Sequence, residues 1–380
     1  MSDRRVSRLL ASTLTLVVPS LFTLNAVAQS GTANFITGEG LPNPNPVTTS
    51  NWGQLPEGRE WGSTAGIDID PTDGHIWAYE RCGAGSFGGG VPINCDTNPV
   101  DPIFKFNRHT GEVIANFGGG IMMTPHGIHA DAEGNVWVTD FAATADGRKG
   151  HQVHKFSADG ELLMSLGTAG QAGNDSAHFN QPNDVIVGPD GSIYVSDGHS
   201  GQGMTSNRAM EEGRAAGQTA RIMKFAPDGT FIKEWGQIGV QHGEFRTPHA
   251  MEFDSRGRLW VADRGNHRLE IFDQDGNYLD SRYMYGRISG LFITDDDMVY
   301  AIDSESSPTS HIGWRNCVRI GHIDEDRITA YIPPFDRPDR VYQGTAGEGV
   351  AVDADGTVYA AEGPNSLSYA GGAFTRYSAE

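Results

Sequence analysis

The chain has 380 residues, 50 of which are glycine, and 48 acidic against 28 basic side chains give it a formal charge of −20. This acidic excess excludes nucleic acid and anionic membrane surfaces as partners, because both bind basic protein faces. Beyond residue 28, no segment has the roughly 18 uncharged apolar residues that a membrane-spanning helix requires.

The N-terminal segment has the three parts of a secretory signal peptide. Arg4 and Arg5 give a basic start, residues 9–24 are mostly apolar, and residues 26–28 read Ala-Val-Ala, a small-residue cleavage site. We therefore predict a signal peptide over residues 1–28 and a secreted or periplasmic protein. We also expect the mature chain to be a monomer.

One hairpin-like unit recurs through the rest of the chain. Each copy has two short apolar runs on either side of a turn rich in Asp and Gly, which predicts a β-hairpin. The copies lie at 66–80, 127–140, 184–197, 250–263, 290–303 and 349–362. Second hairpins follow at 103–118, 153–167, 222–236, 269–283 and, less clearly, 318–332.

Two hairpins make a four-stranded unit, and six such units predict an all-β fold, a six-bladed β-propeller, over residues 66–380. The sixth unit ends early, at residues 374–380. We expect residues 29–65 to form an N-terminal extension that supplies the missing strand and closes the ring. Long insertions interrupt several units, and such loops often carry function.

Three cysteines are spread unevenly along the exported chain. Cys82 and Cys95 are close enough to close a short loop, and export permits a disulfide between them, but the sequence leaves their pairing open. If they pair, Cys317 is left over and is expected to be buried.

The residue just before each first strand can be compared between units. In chain order these residues are Ala65, His126, Asn183, His249, Ser289 and Glu348. Equivalent positions in a propeller lie at one height around the axis. His126, His249 and Glu348 belong to alternate blades, so they predict a metal site holding zinc or another divalent transition metal. The alternative is that each Pro-His only sets an extended start to its strand.

Arginines follow the second strand in two of the units. Arg81 and Arg264 each offer a planar guanidinium that can bind a carboxylate. The alternative is a salt bridge to the acidic residue immediately before, Glu80 or Asp263.

The motifs that contain these residues resemble one enzyme family. The segments TPHGIHADAEGNVWVTD (124–140), FNQPNDVIVGPDGSIYVSDG (179–198) and FRTPHAMEFDSRGRLWVADRGNHRLEIF (245–272) are similar to the peptidyl-α-hydroxyglycine α-amidating lyases, which are NHL-type six-bladed propellers. The resemblance runs over about 66–359 and implies a catalytic zinc ion. It places zinc ligands at His126 and His249, and substrate-binding arginines at Arg81 and Arg264.

Two positions depart from the family pattern. His199 stands where the family has a catalytic tyrosine, so it becomes the predicted base. Glu348 stands where the family has its third zinc histidine, so it becomes the predicted third ligand. Gly349 replaces an aspartate that helps to hold a structural calcium ion, which puts calcium in doubt. The insertion at 199–220 is longer than in the family and is a candidate lid.

The sequence therefore favours a metal-dependent lyase that cleaves a C–N or C–O bond of a small hydroxylated or carboxylated substrate, which can be a small molecule or a peptide. Arg81, His199 and Arg264 are the predicted catalytic residues, and Asn183 is added as a substrate contact. Two alternatives stay open. One is a non-catalytic NHL propeller that binds a peptide, a glycan or a protein, and the other is a metal-dependent hydrolase or lactonase.

Overall fold

The computed structural model describes residues 33–83, 86, 93–334, 347–361 and 374–380. Within these ranges, 24 strands form six four-stranded antiparallel sheets. The first strand of each sheet contacts the first strand of the next around a central axis, and the sixth contacts the first. The fold is the six-bladed β-propeller that the repeats predict. The predicted signal peptide, residues 1–28, lies outside the described residues.

The strands of each blade run from the axis outwards in chain order, except in blade 6. Blades 1 and 2 contain β2 (Ile67–Ile69), β3 (Ile76–Tyr79), β4 (Ile103–Phe106), β5 (Val113–Phe117), β6 (Pro125–Ala130), β7 (Val136–Asp140), β8 (Gln152–Phe156) and β9 (Leu162–Leu166). Blades 3 and 4 contain β10 (Pro182–Val187), β11 (Ile193–Asp197), β12 (Arg221–Phe225), β13 (Phe231–Trp235), β14 (Pro248–Phe253), β15 (Leu259–Asp263), β16 (Arg268–Phe272) and β17 (Tyr278–Arg282). Blades 5 and 6 contain β18 (Ile288–Ile293), β19 (Met298–Asp303), β20 (Cys317–His322), β21 (Ile328–Ile332), β22 (Gly349–Val352), β23 (Val358–Ala361) and β24 (Phe374–Ser378).

The outermost strand of blade 6 comes from the other end of the chain. Strand β1 (Val47–Thr49) pairs antiparallel with β24, so the sheet order is β1-β24-β23-β22. Asn45 adds a side-chain hydrogen bond from Nδ2 to the carbonyl of Gly356 at 2.8 Å. The ring is thus closed by strands from both ends of the chain.

The inner hairpins of blades 1, 2, 4 and 6 share one stabilising contact that links the turn to the core. The turn aspartate accepts backbone N–H groups with one oxygen and, with the other, a side-chain N–H or O–H from the second strand. The pairs are Asp70–Trp77 at 3.0 Å, Asp131–Trp137 at 3.0 Å, Asp254–Trp260 at 2.9 Å and Asp353–Tyr359 at 3.0 Å. These aromatic rings are fully or almost fully buried, so the contact fixes each turn to the core between blades.

Three helical elements lie in the described ranges. A 3₁₀ turn (Ser200–Gly203) and the helix α1 (Asn207–Ala215) occupy the loop after β11, and a second 3₁₀ turn (Arg264–Asn266) joins β15 to β16. A disulfide joins Cys82 to Cys95, and Cys317 is a buried free thiol. No helix in the described ranges combines the length and the apolar character needed to cross a membrane.

Candidate functional site

His126 and His249 occupy the same structural position in blades 2 and 4. Each follows the proline that begins the first strand, and the strand register shifts at this point, between Pro125 and Ile128 and between Pro248 and Ala250. Such bulges turn a side chain out of the regular alternation of a strand. Both imidazoles are buried and line a cavity at the axis.

The tautomer of both imidazoles is fixed by a carbonyl of the following blade. His126 Nδ1 lies 2.9 Å from the Asn183 carbonyl oxygen, and His249 Nδ1 lies 2.6 Å from that of Ser289. Because a carbonyl only accepts, each Nδ1 carries the hydrogen and each Nε2 keeps its lone pair. His249 Nε2 is buried and has no hydrogen-bond partner among the residues that the structure describes.

Both histidines are held in the neutral form. Burial, followed by the charge of Arg81, lowers the pKa of His126 well below its ordinary value. Burial, followed by the charge of Arg264, does the same to the pKa of His249. Neutral imidazoles with free Nε2 lone pairs are the form that binds a metal.

His199 joins these two residues from the loop that follows blade 3. One ligand nitrogen from each of His126, His199 and His249 lies within 4.8 Å of the others. The ring of His199 is centred 5.7 Å from that of His126 and 5.5 Å from that of His249. Phe141 covers the group, because it stacks on His126 and contacts the ring of His199 edge-on. Three neutral imidazoles, one with an unpartnered nitrogen, fit a divalent transition metal.

Glu348 lines the same cavity but is not one of the residues whose ligand atoms meet within 4.8 Å in the described part of the chain. Its Oε1 lies 4.0 Å from Arg264 Nη1. Burial raises the pKa of Glu348, and the charges of Arg264 and Arg81 oppose that rise.

Arg264 lies between the histidine group and two carboxylates. Its Nη2 lies 2.7 Å from His199 Nε2, and its Nη1 lies 3.9 Å from Glu305 Oε1. Arg264 is completely buried, and within the described ranges its Nε has no hydrogen-bond partner. Asp263, the sequence neighbour considered as its partner, is bound by Arg268 Nε at 3.0 Å.

Arg81 is attached to the strand that carries His126. Its Nε donates to the Pro125 carbonyl oxygen at 3.0 Å, and its side chain is buried. Glu80, the neighbouring acid, forms an ion pair with Arg59. Arg81 and Arg264 therefore both adjoin the histidine group, which their equivalent places in blades 1 and 4 did not by themselves decide.

Asn183 lines the cavity between His126 and His249. Its Nδ2 donates to the carbonyl oxygens of Pro248 at 2.8 Å and Gly198 at 3.2 Å. Its Oδ1 is buried, and no described residue forms a hydrogen bond with it. An unpartnered buried acceptor next to the histidines suits a contact with a ligand.

The long loop after His199 is anchored rather than detached. Arg246 donates to the carbonyl oxygens of Gly201 at 3.4 Å and Gln202 at 2.7 Å. Thr247 Oγ1 donates to the His199 carbonyl oxygen at 3.2 Å, and Met210 of α1 is buried. These contacts with blade 4 position His199, while a lid function stays a prediction.

A second ring of polar residues lies deeper in the cavity and was not predicted. Three of them lie three residues after Ala65, His126 and His249 in their blades, namely Asp68, His129 and Glu252. Asp184 lies beside them. His129 Nδ1 lies 3.2 Å from Asp68 Oδ2. The repeat already contained a signal for three of them, since the same blade comparison applied three residues further on selects Asp68, His129 and Glu252.

Known proteins were compared with this chain. The NHL-repeat family profile matches residues 245–272. The chain is 33% identical over 235 residues to peptidyl-glycine alpha-amidating monooxygenase B of Xenopus laevis, a match covering 56% of this chain and 23% of that protein. It is 31% identical over 224 residues to a Caenorhabditis elegans protein named as a probable peptidyl-alpha-hydroxyglycine alpha-amidating lyase, covering 56% of each. The predicted resemblance to the amidating lyases is confirmed, although the chain spans about half or less of these relatives.

Among solved structures, a streptogramin B lyase has a TM-score of 0.52 to this chain at 14% identity, covering 88% of this chain and 98% of that one. At this identity the similarity shows the propeller fold alone.

Proposed function

We propose that the protein is a metal-dependent lyase of the amidating type, acting on a small hydroxylated or carboxylated substrate at the central cavity. The observation that carries the proposal is the meeting of His126, His199 and His249, with a buried, unpartnered Nε2 on His249, next to Arg81 and Arg264. A scaffold that only binds other proteins has no need of such a group. Similarity to the amidating lyases supports the same reaction class.

The simplest substrate of this class is an N-acyl-α-hydroxyglycine. Its C–N bond breaks, the hydroxyl proton moves to the amide nitrogen, and the products are an amide and glyoxylate. Arg81 and Arg264 bind the carboxylate and the negative charge that develops during cleavage, since a buried guanidinium stabilises charge more strongly than water does. Asn183 Oδ1 accepts a hydrogen bond from the substrate hydroxyl or amide. A bound divalent metal supplies Lewis-acid polarisation of a substrate oxygen.

Proton transfer needs a base near the arginines. His199 is half-buried and Glu348 is buried, and both adjoin Arg264, at 2.7 Å and 4.0 Å respectively. A side chain positioned at the cavity is a more effective proton carrier than bulk solvent.

The proposal is tested by metal analysis combined with an assay for glyoxylate. The purified protein is expected to contain close to one transition-metal ion and to release glyoxylate from an N-acyl-α-hydroxyglycine. His126→Ala combined with His249→Ala should lose the metal and lower the rate at least 100-fold, about the loss expected when a metal site is destroyed. Metal-free wild-type protein, or unchanged turnover in the double variant, would contradict the proposal.

A further inference from the structure

We infer that His126, His199 and His249, from three consecutive blades, are the protein ligands of the metal, and that Glu348 instead holds Arg264. This inference rests on the metal-dependent function proposed above. It exchanges two roles that the sequence assigns, because the sequence places Glu348 on the metal and makes His199 the base.

The first support is the separation of the ligand atoms. Two nitrogens bound to one tetrahedral zinc ion lie about 3.4 Å apart, given bonds of about 2.05 Å. The three histidine nitrogens already lie within 4.8 Å of one another, so side-chain movements of about 1 Å bring them onto one ion. Glu348 offers no carboxylate oxygen to this group.

The second support is the charge balance around Arg264. This guanidinium is completely buried, and among the described residues its nearest carboxylates are Glu305 at 3.9 Å and Glu348 at 4.0 Å. Moving Glu348 onto a metal would take away one of the two counter-charges and leave a buried cation less well compensated, which is costly. The Glu348 carboxylate therefore stays beside Arg264, where it compensates the buried positive charge.

The third support is the contact between Arg264 and His199. A guanidinium only donates, so the 2.7 Å contact shows that the lone pair of His199 Nε2 faces a cationic group. A metal ion needs the same lone pair, and Arg264 therefore competes with it. The carboxylates of Glu305 and Glu348 provide the place to which Arg264 turns when a metal binds to His199.

Two consequences follow for the reaction. With the ligands in blades 2, 3 and 4, the side of the cavity facing blades 5, 6 and 1 is left for the substrate. With His199 on the metal, Glu348 is the buried base that remains beside Arg264.

The test measures zinc affinity by calorimetry on metal-stripped full-length protein, with the visible spectrum of the cobalt-loaded form as a second readout. His199→Gln keeps an acceptor for Arg264 but removes the imidazole, and it should weaken zinc binding about 100-fold or more. Glu348→Gln should keep zinc affinity within about threefold and the cobalt spectrum unchanged, while turnover falls about 100-fold. Arg264→Gln should tighten zinc binding about tenfold, because a competing cation is removed.

The outcomes separate this inference from the function on which it rests. If Glu348→Gln loses zinc while His199→Gln retains it, the inference is wrong and the proposed lyase stands. If wild-type protein binds neither zinc nor cobalt, both fall together. If His199→Gln does not fold, His199→Asn replaces it, with circular dichroism as the check of its native structure. A folded His199→Asn whose zinc affinity lies within threefold of the wild-type value also overturns the inference.

Discussion

At the scale of single residues, hydrogen bonds to backbone carbonyl oxygens orient several side chains at the central cavity, among them His126, His249 and Arg81. Arg81 is the clearest case, because its Nε donates to the Pro125 carbonyl oxygen directly before His126. Lysine has the same charge, but it cannot donate to the Pro125 carbonyl oxygen and at the same time bind a carboxylate in a bidentate manner.

Arg81→Lys is therefore expected to raise KM about tenfold while leaving metal content unchanged, since one charge-assisted hydrogen bond is worth about that factor. Steady-state kinetics on an N-acyl-α-hydroxyglycine and metal analysis provide the measurement. Arg256→Lys is the matched control, because Arg256 is exposed and pairs only at the surface with Asp324. An unchanged KM in Arg81→Lys would remove Arg81 from the substrate site.

The second ring of polar residues makes the free energy of unfolding depend on pH. Burial, reinforced by the charge of Asp68, raises the pKa of Glu252 to about 8, and burial raises that of Asp184 to about 7. His129, bound to Asp68, has a raised pKa as well, although burial opposes it. The native state therefore binds protons that the unfolded chain releases as pH rises from about 5 to about 8, and stability must fall over this window.

Glu252→Gln replaces a carboxyl group that binds one of these protons with an amide that does not titrate. Its free energy of unfolding should fall less steeply over the same window, and at about pH 8 the variant should be more stable than wild type by about 2 kcal/mol. Denaturant titrations at several pH values provide the measurement, with the exposed Glu161→Gln as control. Parallel curves for Glu252→Gln and wild type would show that Glu252 is ionised in the folded protein.

At the scale of elements, the disulfide loop connects two parts of the site. Cys82 directly follows Arg81, and the Cys95 backbone N–H donates to the Met123 carbonyl oxygen at 3.1 Å, just before the strand that carries His126. The bridge therefore constrains the segment after Arg81 relative to the start of β6.

Replacing Cys82 and Cys95 together by serine should lower the free energy of unfolding by about 3 kcal/mol, because the bridge closes a loop over a separation of 13 residues. It should also raise KM, since Arg81 loses part of its support. Thermal unfolding and kinetics check both effects. Cys317→Ala is the control, because that thiol is buried and unbridged, and equal losses in the two variants would contradict a specific role for the bridge.

The hairpins were predictable and the loop after blade 3 was not, for one physical reason. A hairpin is specified locally, by Asp and Gly in the turn and apolar residues on either side. The position of His199 depends on contacts between distant segments, from Arg246 to Gly201 and from Thr247 to the His199 carbonyl oxygen. Likewise, the repeat placed Glu348 at the correct height, but its proximity to Arg264 depends on side-chain directions that no spacing encodes.

At the scale of the whole molecule, ring closure by β1 makes an N-terminal segment part of the propeller. Three residue pairs join β1 to β24, and the Trp52 backbone N–H donates to the Phe374 carbonyl oxygen at 2.9 Å. Without these contacts, β24 becomes an exposed sheet edge.

A chain that begins at residue 51 should therefore melt at a temperature a few degrees below that of a chain that begins at residue 33. Losing about 1–2 kcal/mol of the free energy of unfolding lowers the melting temperature of a domain this large by that amount. It should also aggregate more readily. Thermal melts and light scattering on the two chains provide the comparison. Identical melting and scattering would show that β1 contributes nothing to closure.

The pairing of β1 with β24 also decides where another domain can be attached. Both strands lie in the outer half of blade 6, whereas the histidine group lies against the inner strands of blades 2 to 4. A linker added after β24 would therefore leave from the outer half of blade 6, away from the central cavity. A further domain fused there can then be carried on the same polypeptide without its linker crossing the central cavity.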